Sequence, residues 1–210
     1  MPKVFVVGIG PGNADYIMPK AVEIMDESDV IIGFSRALDS LNFISSKKIK
    51  VFRLSEIIEL VNSTKYKTIS VAASGDPLFY GITDYLKKNY GENIEVVPGI
   101  SSFQYMMSKL KMNWQNSYLG SVHGRNAEIV HIVQHNELSI WLTDNCNSPD
   151  VIGKKLYENH IDALIYVGED LSYASEKITA ATPDKIMNME FNKLSVVVIK
   201  NQDILKKGEC

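Results

Sequence analysis

Short apolar runs alternate with amphipathic stretches through the first half of the chain. The apolar runs are rich in β-branched residues, and they predict strands at 3–8, 29–33, 49–52, 68–73 and 94–97. Apolar positions at helical spacing between these runs predict helices at 17–27, 36–43, 55–62, 78–89 and 101–110. Strands that alternate with helices are typical of an α/β unit with a mainly parallel sheet.

The same alternation starts again after the polar stretch KMNWQNS at 111–117. It predicts strands at 117–121, 138–144, 162–168 and 194–200, helices at 126–134 and 149–158, and turns between the last two strands. Because the pattern restarts, we predict two α/β domains, an N-terminal one at 1–113 and a C-terminal one at 114–210.

Composition and charge exclude several classes of protein. The net charge of −3 argues against a nucleic-acid partner, since such proteins carry a basic excess. The chain lacks both a signal segment and a run of about 18 apolar residues, so we expect a cytoplasmic protein without a membrane partner. Two cysteines, Cys146 and Cys210, do not indicate a disulfide framework.

A glycine-rich stretch, VFVVGIGPGNADY at 4–16, follows the first predicted strand and resembles a phosphate-binding turn. A dinucleotide site needs G-x-G-x-x-G, but here the third glycine, Gly12, comes one residue early. Pro11 also removes a backbone N–H, and no carboxylate ends the second strand. A nucleotide cofactor is therefore disfavoured, which leaves either a ligand loop or a tight reversal of the chain.

A second small-residue turn, AASGDPLFYG at 72–81, follows the fourth predicted strand. Pro77 suits the first position of a helix, which makes Asp76 the predicted N-cap of helix 78–89. Gly75 would let a ligand approach the backbone, so the turn has two interpretations, a cap alone or a ligand contact.

A third turn, VVPGISSFQ at 96–104, places Ser101 three residues before Gln104, which is a capping-box pattern. Because the carboxyl ends of parallel strands meet at one edge of a sheet, the three turns are predicted to line one pocket.

Taken in order, VGIGPG, SGDPLFYG, VVPGISS and LTD resemble the tetrapyrrole methylases, which use S-adenosylmethionine, and the resemblance covers essentially the whole chain. Within that family, VIIGFSRAL, SVHGR, LTDNCNSP and VGEDLSYASEKI resemble the branch that methylates carbon 5 of a corrin precursor in cobalamin biosynthesis. The expected acceptor is cobalt-precorrin-7.

The resemblance implies two α/β domains with a ligand cleft between them, usually in a homodimer. It assigns contacts with S-adenosylmethionine to Gly75, Asp76, Phe79, Ser101, Ser102 and Leu142. It assigns the acceptor side to the glycine loop, with Gly8, Gly10, Pro11 and Gly12. Because the acceptor carries carboxylates, cationic anchors are also expected, and these are Arg36 and Arg125, with Arg53 as a further candidate. For each arginine, a surface ion pair is the alternative.

The resemblance also implies partners and excludes some. We expect a stand-alone enzyme, with the carbon-15 methyltransferase and decarboxylase on a separate chain. His131 and His135 are four residues apart without a third ligand, so no protein-bound metal is expected, and cobalt would arrive with the corrin substrate.

Methyl transfer needs the donor and the acceptor carbon held in line, and no nucleophile on the protein. His123 could exchange a proton with the ring system, or it could simply be a polar loop residue. The alternative functions are methylation of another corrin carbon, a diphthamide precursor or ribosomal RNA by the same family, or a nucleotide-binding regulatory module without chemistry.

Overall fold

A computed structural model describes residues 2–63, 65–125, 127–192 and 195–204 of this chain. The Cα positions group into two compact units: unit 1 is Met1–Ser102 and unit 2 is Phe103–Cys210. This grouping places Ser102, the first residue of the helix Ser102–Leu110, in unit 1 and the rest of that helix in unit 2. The domain boundary expected from the sequence, between 113 and 114, lies after that helix and stays a prediction.

Unit 1 is built on five parallel strands. They are β1 (Lys3–Gly8), β2 (Val30–Gly33), β3 (Lys48–Lys50), β4 (Thr68–Ala73) and β5 (Ile94–Val97). Their order across the sheet is β3-β2-β4-β1-β5, and every neighbouring pair is parallel. The carboxyl ends of all five strands therefore lie along one edge of the sheet.

Helices cover both faces of this sheet. They are α1 (Pro19–Asp26), α2 (Ser35–Asp39), α3 (Leu54–Asn62) and α4 (Thr83–Tyr90), with a 3-10 turn at Ala14–Tyr16. Along β1, Phe5 and Val7 pack into one buried cluster, while Val4 and Val6 pack into another. Because successive side chains of a strand point to opposite faces, a strand covered on both faces reads as a continuous apolar run.

Unit 2 has a mixed sheet. Its strands are β6 (Tyr118–Ser121), β7 (Leu138–Leu142), β8 (Ala163–Glu169), β9 (Lys177–Ala181) and β10 (Ser195–Asn201). Their order is β6-β7-β10-β8-β9; β6 and β7 are parallel, and the other neighbouring pairs are antiparallel. The carboxyl ends of β6, β7 and β8 consequently share one edge, to which β10 contributes its amino end.

The helices of unit 2 are α5 (Ser102–Leu110), α6 (Ile129–His135), α7 (Pro149–Glu158) and α8 (Pro183–Ile186). The apolar faces of α6, α7 and α8 pack with the sheet around Trp141, which is fully buried and donates its indole N–H to Ser139 Oγ at 3.0 Å. Among the described residues no helix is long and apolar enough to cross a lipid bilayer.

The α/β class and the two-sheet arrangement expected from the sequence are confirmed. The prediction of turns between 168 and 194 was wrong in part, because β9 and α8 lie in that segment. Strand β9 is an edge strand with mostly exposed or half-buried side chains, so its sequence carries little of the apolar signal that marked the other strands. Residues 126 and 194, where a helix and a strand were expected to begin, lie outside the described residues, as does Cys210.

Candidate functional site

Three turns meet at the carboxyl edge of the unit 1 sheet, after the neighbouring strands β4, β1 and β5. The first two turns exchange backbone hydrogen bonds, since Gly75 N–H donates to Gly10 O at 2.8 Å and Gly10 N–H donates to Gly75 O at 3.3 Å. These two bonds form a short antiparallel bridge beyond the ends of the strands. The bridge holds the glycine-rich loop against the SGDP turn.

Glycines at this edge allow backbone to touch backbone. A methyl group added at Gly8 would lie 2.6 Å from the amide nitrogen of Gly99, and one at Gly99 would lie 2.2 Å from the carbonyl oxygen of Gly75. Gly10 has a φ of +74°, which side chains rarely adopt. The glycine pattern is therefore explained by close packing of the three turns.

Asp76 ties the second turn to the third. Its carboxylate accepts hydrogen bonds from Leu78 N–H at 2.8 Å and from Gly99 N–H at 3.2 Å. The expectation that Asp76 caps helix 78–89 was wrong, because α4 begins only at Thr83.

The delayed start of α4 has a local cause. Thr83 Oγ1 donates to the carbonyl oxygen of Pro77 at 2.7 Å in a buried position, and Tyr80 has a left-handed φ of 53°. A methyl group at Gly81 would lie 2.3 Å from that same carbonyl oxygen. The chain consequently makes a further tight turn before the helix starts.

Four of the predicted donor residues come together in unit 1. A methyl group at Gly75 would lie 3.5 Å from Ser101 Cα and 3.9 Å from Ser102 N, both ordinary contact distances. Asp76 follows directly, and Ser102 begins α5. Phe79 is half-buried in the same turn, and its ring packs edge-on against Tyr80 at 5.0 Å between ring centres. Leu142 is the last residue of β7, in unit 2.

The predicted acceptor residues lie in three segments. Gly8, Gly10, Pro11 and Gly12 belong to the end of β1 and the loop that follows it, where Gly8, Gly10 and Gly12 are buried and Pro11 is half-buried. Arg36 is exposed on α2, and Arg125 is exposed in the turn after β6.

The carboxyl edge of the unit 2 sheet is organised by Asp144, a residue that the sequence pattern did not single out. Its carboxylate accepts from the backbone N–H groups of Gly124 at 2.7 Å, Asn147 at 2.8 Å and Cys146 at 2.9 Å. The hydrogen bonds from Gly124 and Asn147 lower the pKa of Asp144. The signal that could have identified it is an aspartate two residues after the end of a strand, because aspartate side chains commonly accept from the backbone N–H two residues on.

His123 is part of the same arrangement. Its Nδ1 lies 3.3 Å from the carbonyl oxygen of Thr143, and the residue is exposed. Thr143 Oγ1 donates to the carbonyl oxygen of Ser195 at 2.7 Å, which continues the edge to β10. His123 is thus held on one side and open to solvent on the other.

A charged group anchors the turn that follows β8. Glu176 accepts from Ser172 N–H at 2.7 Å and pairs with Lys109 Nζ at 3.1 Å. Hydrogen bonds to Tyr105 and to Glu176 raise the pKa of Lys109. Asp170 and Ser172 have left-handed φ values of 45° and 72°, so this anchor holds a strained turn.

A cavity of about 370 Å³ lies elsewhere in unit 2 and is not the predicted site. Its walls come from residues that precede β7 and β8 or end β10: Gln134, His135, Asn159, His160, Ile161, Asn201, Asp203 and Ile204. Within the described part of the chain, no three histidine, cysteine, aspartate or glutamate side chains are grouped so that they could hold a metal ion.

Comparison with known proteins shows the same family along nearly the whole chain. Residues 3–186 match the sequence profile of the Tetrapyrrole (Corrin/Porphyrin) Methylases. A Methanocaldococcus jannaschii protein named a probable cobalt-precorrin-7 C(5)-methyltransferase is 33% identical over 95% of this chain and 99% of its own length. A Salmonella typhimurium protein named cobalt-precorrin-7 C(5)-methyltransferase is 26% identical over 92% of this chain and 97% of its own.

A solved structure has the same fold. Uroporphyrin-III C-methyl transferase from Thermus thermophilus, complexed with S-adenyl homocysteine, superposes with a TM-score of 0.78 at 19% identity. The superposition covers 94% of this chain and 92% of that one.

We expect the Gly99→Ala variant to lower the free energy of unfolding by about 3 kcal/mol, because the added methyl group meets backbone that has no room to move. Gly33→Ala is the matched control. There the nearest atoms belong to the Leu38 and Ala72 side chains at 3.1 and 3.3 Å, and the expected loss is about 1 kcal/mol. Urea unfolding measures both variants, and equal losses would contradict the packing argument.

The Asp144→Asn variant should lose stability at neutral pH and little at acid pH. The pKa of Asp144 is lower in the folded chain than in the unfolded one. Its contribution is therefore complete above the unfolded pKa of about 3.9 and is lost as the pH falls through the lower folded value. Urea unfolding at a series of pH values tests this, with the exposed Glu190→Gln as control. A difference from the parent protein that stayed constant down to pH 2 would disprove it.

Proposed function

Because the chain belongs to the tetrapyrrole methylase family, we propose that it transfers a methyl group from S-adenosylmethionine to carbon 5 of cobalt-precorrin-7 in cobalamin biosynthesis. The observation that carries the proposal is the 33% identity, spread over 95% of the chain, to a protein named for that reaction. The second relative, from Salmonella typhimurium, supports the same carbon and the same acceptor.

The turns after β4 and β5 are the proposed donor site. Gly75, Asp76, Ser101 and Ser102 lie together there, and Phe79 belongs to the same segment. Helix α5 begins at Ser102, so the positive end of its dipole lies in this segment, which favours the carboxylate of S-adenosylmethionine there. Leu142, at the end of β7, stays a prediction as a donor contact.

The glycine loop, with Gly8, Gly10, Pro11 and Gly12, is proposed to border the acceptor. Its backbone is already bonded to the SGDP turn, which supports a rigid wall in place of a phosphate cradle. Arg36 and Arg125 are proposed to bind acceptor carboxylates, since a planar guanidinium suits a carboxylate.

The reaction requires little of the protein beyond the positioning of the methyl donor and the acceptor carbon. S-adenosylmethionine supplies a methyl group on a charged sulfur, which is already a good leaving group. The bond from methyl carbon to sulfur breaks as a bond to the corrin carbon forms, with the electron pair drawn from the conjugated ring. We propose that His123 exchanges the proton that the altered ring system gives up or takes. A homodimer and a separate chain for the carbon-15 reaction remain proposals drawn from the family.

S-adenosylhomocysteine should stabilise the protein against thermal unfolding, while NAD and ATP should not. A ligand that binds only the folded protein adds about 2.7 kcal/mol at a hundredfold excess over its Kd. Differential scanning fluorimetry with the three ligands measures this. Stabilisation by NAD alone would refute the methyltransferase and favour a nucleotide-binding module.

The acceptor is then tested directly by incubating the protein with S-adenosylmethionine and purified corrin intermediates, followed by mass spectrometry. A gain of one methyl group on cobalt-precorrin-7 alone is expected. Methylation of a different intermediate would replace the proposed acceptor while leaving the donor assignment intact.

Replacing His123 by alanine should lower turnover about a hundredfold without weakening the binding of S-adenosylhomocysteine, because a proton-transfer group acts only in the reaction. His131→Ala is the control, since His131 is an exposed histidine on α6. Unchanged turnover in the His123 variant would remove the acid–base role.

A further inference from the structure

His123 makes a hydrogen bond that fixes which of its ring nitrogens carries the proton. Its Nδ1 lies 3.3 Å from the carbonyl oxygen of Thr143. A carbonyl oxygen only accepts, so Nδ1 carries the hydrogen of this bond. When the ring is neutral, Nε2 therefore has a lone pair and no hydrogen, and the residue is exposed. This tautomer makes Nε2 a proton acceptor.

The residue whose carbonyl group accepts this bond is itself held in place. Thr143 is buried, and both its N–H and its Oγ1 donate to the carbonyl oxygen of Ser195, at 3.3 and 2.7 Å. Ser195 is the first residue of β10. On the other side of the bond, His123 N–H donates to Ser121 Oγ at 3.3 Å. The ring of His123 therefore has an acceptor at a defined position.

Asp144 joins the turn that carries His123 to the turn that follows β7. One carboxylate oxygen accepts from Gly124 N–H at 2.7 Å, directly after His123 in the chain. The other oxygen accepts from the N–H groups of Cys146 at 2.9 Å and Asn147 at 2.8 Å. Cys146 is exposed, so its thiol adds no buried charge to this arrangement. The position of His123 thus depends on one carboxylate.

Asp144 also acts on His123 through its charge. Backbone hydrogen bonds are the main cause of the lowered pKa of Asp144, and the positive charge of His123 adds to them. Because the attraction is mutual, the ionised carboxylate favours the imidazolium that forms when Nε2 takes up a proton. Two cations belong to the same turns: Arg125 is exposed, and Lys155 Nζ donates to Asn147 Oδ1 at 3.3 Å.

The proposed methyl transfer leaves one proton to be removed. The bond from methyl carbon to sulfur breaks with its electron pair on sulfur, so the cationic donor becomes neutral S-adenosylhomocysteine. The new carbon–carbon bond takes its pair from the conjugated ring, which gains one positive charge. That charge is lost when a C–H bond of the ring breaks, its electron pair returns to the conjugated system and the proton leaves. The group that receives the proton is a base.

We propose that His123 is the base of this reaction, that its Nε2 accepts the proton, and that Thr143 and Asp144 are its positioning residues. The proposal rests on the proposed function and adds the direction of the proton transfer and the atom that takes part in it. After the transfer both ring nitrogens carry hydrogen, Nδ1 stays bonded to Thr143, and the charge of Asp144 stabilises the imidazolium. Solvent then takes the proton from Nε2.

The tautomer is measured by two-bond 1H–15N correlation spectra of protein labelled with 15N-histidine, saturated with S-adenosylhomocysteine, at about pH 8, where a histidine is ordinarily neutral. The chemical shifts of the two ring nitrogens show which of them carries the hydrogen. We expect Nδ1–H for His123. The His123→Ala variant identifies the signal by its loss, and His131→Ala should leave it in place. A neutral ring with its hydrogen on Nε2 would overturn the proposal while the proposed methyl transfer stands.

The positioning role is tested with Asp144→Asn. The amide keeps one oxygen for the turn after β7, but its NH2 group would face Gly124 N–H. We expect kcat to fall about tenfold, because the ring is no longer held at one position. The Kd of S-adenosylhomocysteine should stay unchanged, and the His123 signal should show both tautomers. Asp150→Asn, which removes a carboxylate from the first turn of α7, is the matched control and should leave kcat unchanged.

Two results would contradict the positioning role of Asp144. If Asp144→Asn binds S-adenosylhomocysteine as weakly as it turns over substrate, the residue has only a structural role. If kcat is unchanged while both tautomers are present, the orientation of His123 does not matter for the reaction.

The direction of the proton transfer is tested by measuring kcat against pH. A base acts only in its unprotonated form, so kcat should rise with pH and level off once His123 is neutral. The residual activity of His123→Ala should lack this rise. A kcat that falls over the same range would show that His123 donates a proton, and the base would be excluded. If the parent protein binds S-adenosylhomocysteine but methylates no corrin, the proposed reaction fails, and the role of His123 fails with it.

Discussion

The candidate site of unit 1 depends on the direct approach of backbone to backbone at Gly8, Gly75 and Gly99. A methyl group added at Gly8 or Gly99 would lie only 2.6 or 2.2 Å from the nearest backbone atom, which leaves no volume for any side chain. Three loops that would otherwise move independently are thereby joined at the ends of adjacent strands. The same contact fixes the positions of the segments that carry Asp76, Phe79 and Ser101, which are three of the proposed donor residues.

Both units stabilise their strand-end turns in the same chemical way. In unit 1 the carboxylate of Asp76 accepts from two backbone N–H groups, and in unit 2 the carboxylate of Asp144 accepts from three. A charged acceptor satisfies N–H groups that a turn would otherwise leave to solvent, and such bonds are stronger than neutral ones. Each aspartate consequently orders a loop that carries proposed binding residues.

Most of the fold could be predicted from the apolar pattern, because a strand buried on both faces, such as β1, is a run of apolar residues. Strand β9 was missed since an edge strand with exposed side chains lacks that signal. At the site, the glycines and Asp76 were found from turn chemistry, but the role of Asp76 was not. Whether its carboxylate caps a helix or bonds Gly99, 23 residues away, is decided by tertiary packing.

The place of β10 in the unit 2 sheet has a consequence for the order in which the chain can fold. This strand is the last of the five in sequence, yet it pairs with both β7 and β8 and so joins the two halves of the sheet. During synthesis on the ribosome, the parallel sheet of unit 1 is complete once residue 97 has emerged. The sheet of unit 2 has to wait for residues 195–201, and until then two strand edges stay unpaired and open to chaperones or to misassembly.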